Sequence, residues 1–257
     1  MKVKIDWIRH GQSYSNLFYD LGGMVPNFTD ADAQQFSSIY TPDAKLTPTG
    51  ILQARYFNRK YRYMAGSYDF LFCSELYRSV ETAILVSRYT HIKKIYMMPY
   101  ISELRLPDMS DHDNQPSDHN MVKEEMTKKY PASCGYAKVD TSFIEKYHEP
   151  NKFSIPNQHI FHGQIVPSFL KYMGIHDMEQ VYIGTVSHRE YIHNIFEIRY
   201  GYVEETRLEN LQYMTEIIKY DGGTITWSNM LQKSDQTFPT YLKINNAILC
   251  RYIQDIL

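Results

Sequence analysis

Residues 3–13 read VKIDWIRHGQS. Val3, Ile5, Trp7 and Ile8 form a short run rich in apolar and β-branched side chains, which stops abruptly at Arg9-His10-Gly11. Such a run predicts a central buried strand, and the sudden change of character predicts that the strand delivers a functional loop. By itself the Arg-His pair decides nothing, because a lone histidine is more often a hydrogen-bonded structural residue than a reactive one.

The same order of strand, polar loop and helix recurs along the chain. After Leu46, Thr47 or Thr49 can cap a helix whose first turn suits Pro48, with Leu52, Ala54, Tyr56 and Phe57 as apolar positions, predicting a helix to about Met64. YDFLFC over 68–73 predicts the next buried strand, followed by Ser74 and a helix over about 76–89. Ile95–Met98 and Val181–Val186 predict two more, the latter running into Ser187-His188-Arg189 and a helix through Phe196. This alternation predicts an α/β fold, a three-layer α/β/α sandwich with a mainly parallel central sheet whose polar groups gather at the carboxyl ends of the strands.

Two further patterns complete the outline. Residues 212–220 and 224–227 flank Asp221-Gly222-Gly223, a hairpin signal, and the tail 241–257 carries Leu242, Leu249, Ile253 and Ile256 at helical spacing. From about 104 to 156 the periodicity fails and the text is rich in Asp, His, Asn, Ser, Lys and Pro, with one short helical stretch, KEEMTKKY. This predicts a segment inserted over one face, as a cap or lid, of a single domain spanning 1–257.

Composition narrows the class. With 43% hydrophobic and 22% charged residues the chain can bury a sizeable core, and a net charge of -2 gives no global bias towards nucleic acid. Any anion site must therefore be built locally. Cys73, Cys134 and Cys250 are scattered and odd in number, with no C-x-x-C pair, so neither a disulfide framework nor a zinc ribbon is indicated. Neither a leader-like amino terminus nor an apolar run of roughly 18 residues is visible, and the expectation is a cytoplasmic protein with no membrane partner.

Three segments join Arg9-His10 in carrying chemistry. In Ser74-Glu75-Leu76-Tyr77-Arg78 a strand-end serine precedes a helix whose first turn offers Arg78, able to fork onto phosphate oxygens or, more plainly, to pair with Glu75 or Glu81. Ser187-His188 places a second histidine before a helix N-terminus suited to anions. Pro99-Tyr100-Ile101-Ser102-Glu103 sets a carboxyl group just after a strand, where it could equally pair with Arg105. His112, His119, His162 and His193 form no H-E-x-x-H or similar pattern, so no metal is expected. His112 and His119 fall in the polar segment, on a solvated face or a lid.

Taken in order, R-H-G-x-S-x-x-N from Arg9 to Asn16, L-T-x-x-G-x-x-Q-A from Leu46 to Ala54, S-x-L-x-R-x-x-x-T-A from Ser74 to Ala83, P-x-I-x-E ending at Glu103, and Ser187-His188 resemble the histidine phosphatase superfamily, the phosphoglycerate-mutase-like or RHG group. The resemblance implies a phosphoglycerate-mutase-like fold in which His10 is the nucleophile and becomes phosphorylated on a ring nitrogen. It further implies that Arg9, Arg78 and His188 surround the transferred phosphoryl group with Asn16 as an additional donor, and that no metal or other cofactor is required. Glu103 is implied as the proton donor, with Glu75, Asp108 and Asp111 as substitutes. Arg189 stands where a glycine often follows the second histidine, tightening that loop or adding a positive contact to substrate.

After Asn16 the chain reads LFYDLGGM, without the Arg-Phe-x-Gly-Trp-like continuation of the cofactor-dependent glycolytic mutases, so hydrolysis of a phosphate monoester is expected ahead of mutase-type phosphotransfer. A silent phospholigand-binding module is the rival of a different class. An unrelated nucleotide-binding α/β protein has no support from either G-x-x-x-x-G-K-S/T or G-x-G-x-x-G. The partner expected is a small phosphorylated substrate or a phosphoprotein.

Overall fold

The computed structural model describes residues 1–17, 43–104, 115–147, 156–175, 178–200, 208–221 and 224–233. Seven strands, β1 (Lys2–Arg9), β2 (Phe70–Cys73), β3 (Lys94–Met97), β4 (Lys138–Asp140), β5 (Gln180–Ser187), β6 (Tyr213–Asp221) and β7 (Thr224–Lys233), form one sheet in the order β4-β3-β2-β5-β1-β6-β7. The first five are mutually parallel, while β6 runs antiparallel to β1 and β7 antiparallel to β6. The sheet is thus mainly parallel, with the expected hairpin at one edge. The tail 241–257 lies outside the described residues.

Helices cover both faces. They are α1 (Pro48–Lys60), α2 (Arg62–Ala65), α3 (Tyr77–Val86), α4 (His119–Lys129), α5 (Ser142–Tyr147), α6 (Gln158–Ile160), α7 (Val166–Tyr172) and α8 (Arg189–Tyr200), with a π-helical turn, Phe161–Ile165, joining α6 to α7. Alternate side chains of each strand enter opposite cores. Ile8, Leu71 and Cys73 pack with Phe57 of α1, Val80 and Ile84 of α3 and Met126 of α4. Ile5, Trp7 and Phe72 pack on the other side with Phe169 of α7 and Ile195 and Phe196 of α8. Two buried layers around one sheet make the α/β/α sandwich that the sequence predicts. Among the described residues, no helix is long and apolar enough to cross a membrane.

The segment 104–156 needs a correction. Its residues 138–147 do not lie over one face. They supply β4, paired in parallel with β3, and α5, whose Phe143 and Ile144 are buried in the two cores. Val122 and Met126 of α4 are buried too. Residues 105–114 and 148–155, including Arg105, Asp108, Asp111 and His112, lie outside the described residues.

Strand register decides where the chemistry collects. Arg9 pairs with Ser187, and Cys73 with both Val186 and Met97, so the carboxyl ends of β1, β5, β2 and β3 stand level and adjacent. Ligands of open α/β sheets bind at such an edge.

Candidate active site

His10 leaves the end of β1 with its ring 1% exposed. Its Nδ1 lies 2.7 Å from the Gly11 carbonyl, which can only accept, and its Nε2 faces the Nε–H of Arg78 at 3.2 Å, which can only donate. The ring is therefore the neutral tautomer protonated on Nδ1, with the Nε2 lone pair directed into the site. Burial, Arg78 and Arg9 all push the His10 pKa well below that of a free imidazole, outweighing the Gly11 carbonyl. A neutral Nε2 of this kind could act as a nucleophile without prior deprotonation.

The loop behind His10 is held by the motifs that follow it. Gly11 N–H donates to Thr82 Oγ1 at 3.0 Å and Gln12 N–H to Gln53 Oε1 at 2.9 Å. Thr47 caps α1 by accepting from Gly50 N–H and donates to Gln12 Oε1 at 2.8 Å. A Cβ at Gly50 would lie 2.1 Å from the Gln12 carbonyl, so only glycine lets the start of α1 approach the loop this closely.

Around Nε2 the other segments converge. Arg78, in the first turn of α3, is 4% exposed; burial works against its charge, and Glu103 and Asp43 sustain it. Glu75 and Glu81, which offered a surface pairing for Arg78, are engaged elsewhere: Glu81 by Lys129 and Tyr130, Glu75 by Ser102 and His119. Arg9, 6% exposed, donates to the Leu208 carbonyl at 2.7 Å and stands 4.0 Å from Glu209.

His188 sits between β5 and α8, its ring centroid 5.0 Å from that of His10. Its Nε2 is 2.6 Å from Ser74 Oγ, whereas its Nδ1 is buried with no hydrogen-bond partner among the described residues. Burial, Arg78 and His10 hold its pKa well below the ordinary value, so it too is neutral. A buried polar atom left unsatisfied costs about 1–3 kcal/mol, a cost that a bound hydrogen-bond partner would relieve.

Glu103 follows a turn in which Tyr100 takes the left-handed conformation (φ 66°). Its Oε1 accepts from the backbone N–H groups of Leu104 and Tyr191 at 3.1 and 3.3 Å. Burial raises its pKa against the pull of Arg78, so this carboxyl retains its proton further into the weakly acidic range than a free one.

His10, Glu103 and His188 bring potential ligand atoms within 4.8 Å of one another, close enough to consider a cation. The guanidinium at His10 Nε2 and the positive field of Arg9 and Arg78 argue for an anion instead.

Asn16 is at the rim, its Oδ1 accepting from Ser13 N–H at 3.3 Å and from Asn210 Nδ2 at 3.1 Å, which leaves its own amide N–H groups as donors. Arg189 turns outward to Glu190 at 2.7 Å, its side chain 45% exposed, and reaches the site through its field on His10.

Two contributors were not anticipated. Asn210 donates to the His10 carbonyl at 2.9 Å as well as to Asn16. Asp43 accepts from Tyr77 N–H at 2.7 Å and Ser117 N–H at 2.8 Å, tying the start of α3 to the approach to α4. No sequence pattern marks Asn210 or Asp43, which only the fold brings near the site.

The family model of the histidine phosphatase superfamily (branch 1) matches residues 7–138. The chain belongs to the histidine phosphatase superfamily. Among solved structures, mycobacterial hydrolase 2 is 16% identical with a TM-score of 0.53, covering 96% of this chain and 97% of that one. A mycobacterial glucosyl-3-phosphoglycerate phosphatase is 13% identical (TM-score 0.49, 92% and 100% covered). A phosphoserine phosphatase from Entamoeba histolytica is 17% identical (TM-score 0.45, 89% and 96% covered). At these identities the likeness concerns the fold. No curated protein sequence matches the chain.

Proposed function

We propose that this protein hydrolyses a phosphate monoester through a phosphohistidine on His10, without a metal ion. The observation that carries the reading is the fixed tautomer of His10, whose Nε2 lone pair faces Arg78 while Nδ1 is locked onto the Gly11 carbonyl.

In the first step Nε2 attacks phosphorus in line with the leaving oxygen. The N–P bond forms as the P–O bond breaks, and Glu103 delivers its proton to the departing alkoxide or phenoxide. Arg9 and Arg78 offset charge on the equatorial phosphoryl oxygens, His188, whose Nδ1 has no partner among the described residues, offers a further ring N–H, and Asn16 adds an amide donor. In the second step water attacks phosphorus, gives a proton to the Glu103 carboxylate, and the N–P bond breaks to release inorganic phosphate and restore the neutral imidazole. Arg189 contributes field rather than contact. The substrate class is a small phosphorylated metabolite or a phosphoprotein of the cytoplasm.

The test is turnover of p-nitrophenyl phosphate in the presence of EDTA. The wild-type protein is expected to hydrolyse it, and His10→Ala to lose on the order of 10⁶ in kcat, as with other covalent nucleophiles that act as part of a unit. Equal rates in the two proteins would contradict the proposal.

A further inference from the structure

Glu75 follows Ser74 at the end of β2, and its side chain is fully buried. One carboxylate oxygen, Oε1, accepts from Ser102 Oγ at 3.0 Å, and the other, Oε2, lies 3.2 Å from His119 Nε2 at the start of α4. Its neighbours in sequence are thus Ser74, the partner of His188, and through Ser102 its neighbour in space is Glu103. Burying a carboxylate is costly unless hydrogen bonds offset the lost hydration. Here one such bond comes from the loop that carries the proposed acid and another from the start of α4.

We infer that Glu75 is a positioning residue for Glu103, acting through Ser102; this rests on the proton-donor role proposed for Glu103. The turn from β3 to Glu103 contains no repeating backbone ladder; among the described residues it is held by a backbone bond from Asn157 N–H to the Tyr100 carbonyl at 3.0 Å and by two side-chain bonds, at Ile101 and Ser102. Ser187 Oγ donates to the Ile101 carbonyl at 2.7 Å, and Ser102 Oγ donates to Glu75. The first ties the turn to β5, next to His188. The second ties it to β2, next to Ser74. Between them the residue immediately preceding Glu103 is held from both sides of the site, in a turn that already contains the left-handed Tyr100. Loosening one anchor widens the positions sampled by the Glu103 carboxyl, and a misplacement of about 1 Å can cost as much as 10²-fold in rate.

His119 gives this arrangement its outer partner. Its side chain is 18% exposed where Glu75 is 0% exposed, so α4 closes over the carboxylate with the one residue of the pair that still meets solvent. What Ser102 needs is an oxygen acceptor at that point, which a carboxamide also supplies.

The experiment measures kcat/KM over a series of substituted phenyl phosphates, from the good leaving group of p-nitrophenyl phosphate to the poor one of phenyl phosphate. Wild type, Glu75→Ala, Glu75→Gln, Ser102→Ala and Glu103→Gln are compared. Loss of proton donation penalises poor leaving groups most, so Glu103→Gln should steepen the dependence on leaving-group acidity. Glu75→Ala and Ser102→Ala should each steepen it partway, losing roughly ten-fold more on phenyl phosphate than on p-nitrophenyl phosphate. Glu75→Gln should stay near wild type. The Glu75→Ala/Ser102→Ala double variant should be no steeper than either single one, because the two residues act through one bond. The slope compares substrates on the same protein sample, so a reduced folded fraction cancels. If Glu103→Gln is steep while Glu75→Ala loses rate uniformly across the series, the positioning role is overturned and the role of Glu103 stands. If Glu103→Gln is not steep, the proton-donor assignment falls and the positioning role falls with it.

Discussion

Two clusters of histidine, arginine and glutamate lie buried beside β1, and they are finished differently. Below Trp7, the His162 Nε2–H donates to Glu216 Oε1 at 2.7 Å, and Nδ1, the acceptor of the neutral ring, takes a hydrogen bond from Arg199 at 2.8 Å beside the Gln158 carbonyl. Glu216 also accepts from Trp7 Nε1 at 2.7 Å and pairs with Arg199, whose guanidinium stacks 3.5 Å from the Trp227 ring centroid. Burial alone would raise the Glu216 pKa, yet His162 and Arg199 hold the carboxyl below its usual range. At the end of the same strand, His188 keeps an unsatisfied Nδ1, His10 presents a lone pair, and the Glu103 pKa is raised. Among the described residues, the same residue types make a closed structural knot in one place and, in the other, a cluster with a ring nitrogen left without a partner. Their chemistry follows from what is left unsatisfied.

The contrast breaks most directly through stability. Glu216→Ala strands Arg199, His162 and the Trp7 indole without their acceptor, and should cost about 3–5 kcal/mol in chemical denaturation, with kcat of the folded protein near wild type. Arg78→Ala should weigh on the other side, lowering kcat/KM by about 10²–10³ with a smaller loss of stability than Glu216→Ala, because burial already works against the Arg78 charge. A variant pair that behaved the other way round would merge the two clusters into one function.

A finer test is pH. His10 must be neutral to attack, and its lowered pKa moves the acid limb of kcat/KM below the ordinary imidazole range. Glu103 must be protonated to donate, and its raised pKa carries the basic limb above the ordinary carboxylate range. The profile should be a bell with an acidic optimum, and Glu103→Gln should remove its basic limb while lowering the rate by about 10²–10⁴. A basic limb that survives the substitution would place the acid elsewhere.

Much of this was readable before folding because the site is built from strand ends. An apolar run that stops at Arg9-His10-Gly11, or at Ser187-His188, announces in one dimension where a sheet edge will be. The motifs were legible for a related reason: Thr47, Gly50, Gln53 and Thr82 are the residues that hold the His10 loop, so their spacing reports a packing requirement. Other parts had no local signal. β4 contributes only Val139 to the core from within polar text, too little for a period to show. Asn210 lies two hundred positions from His10 and reaches it through the pairing of β6 with β1. The cluster around His162 depends on a π-helical turn and an aromatic neighbour on β7, neither of which periodicity marks.

The central claim is that His10 carries the phosphoryl group. It is tested by mixing the protein with a ³²P-labelled aryl phosphate, quenching within a turnover and mapping the label. The account predicts one acid-labile, base-stable phosphohistidine on His10, absent from His10→Ala. Steady turnover with no label on the protein, or with the label on another residue, would contradict it.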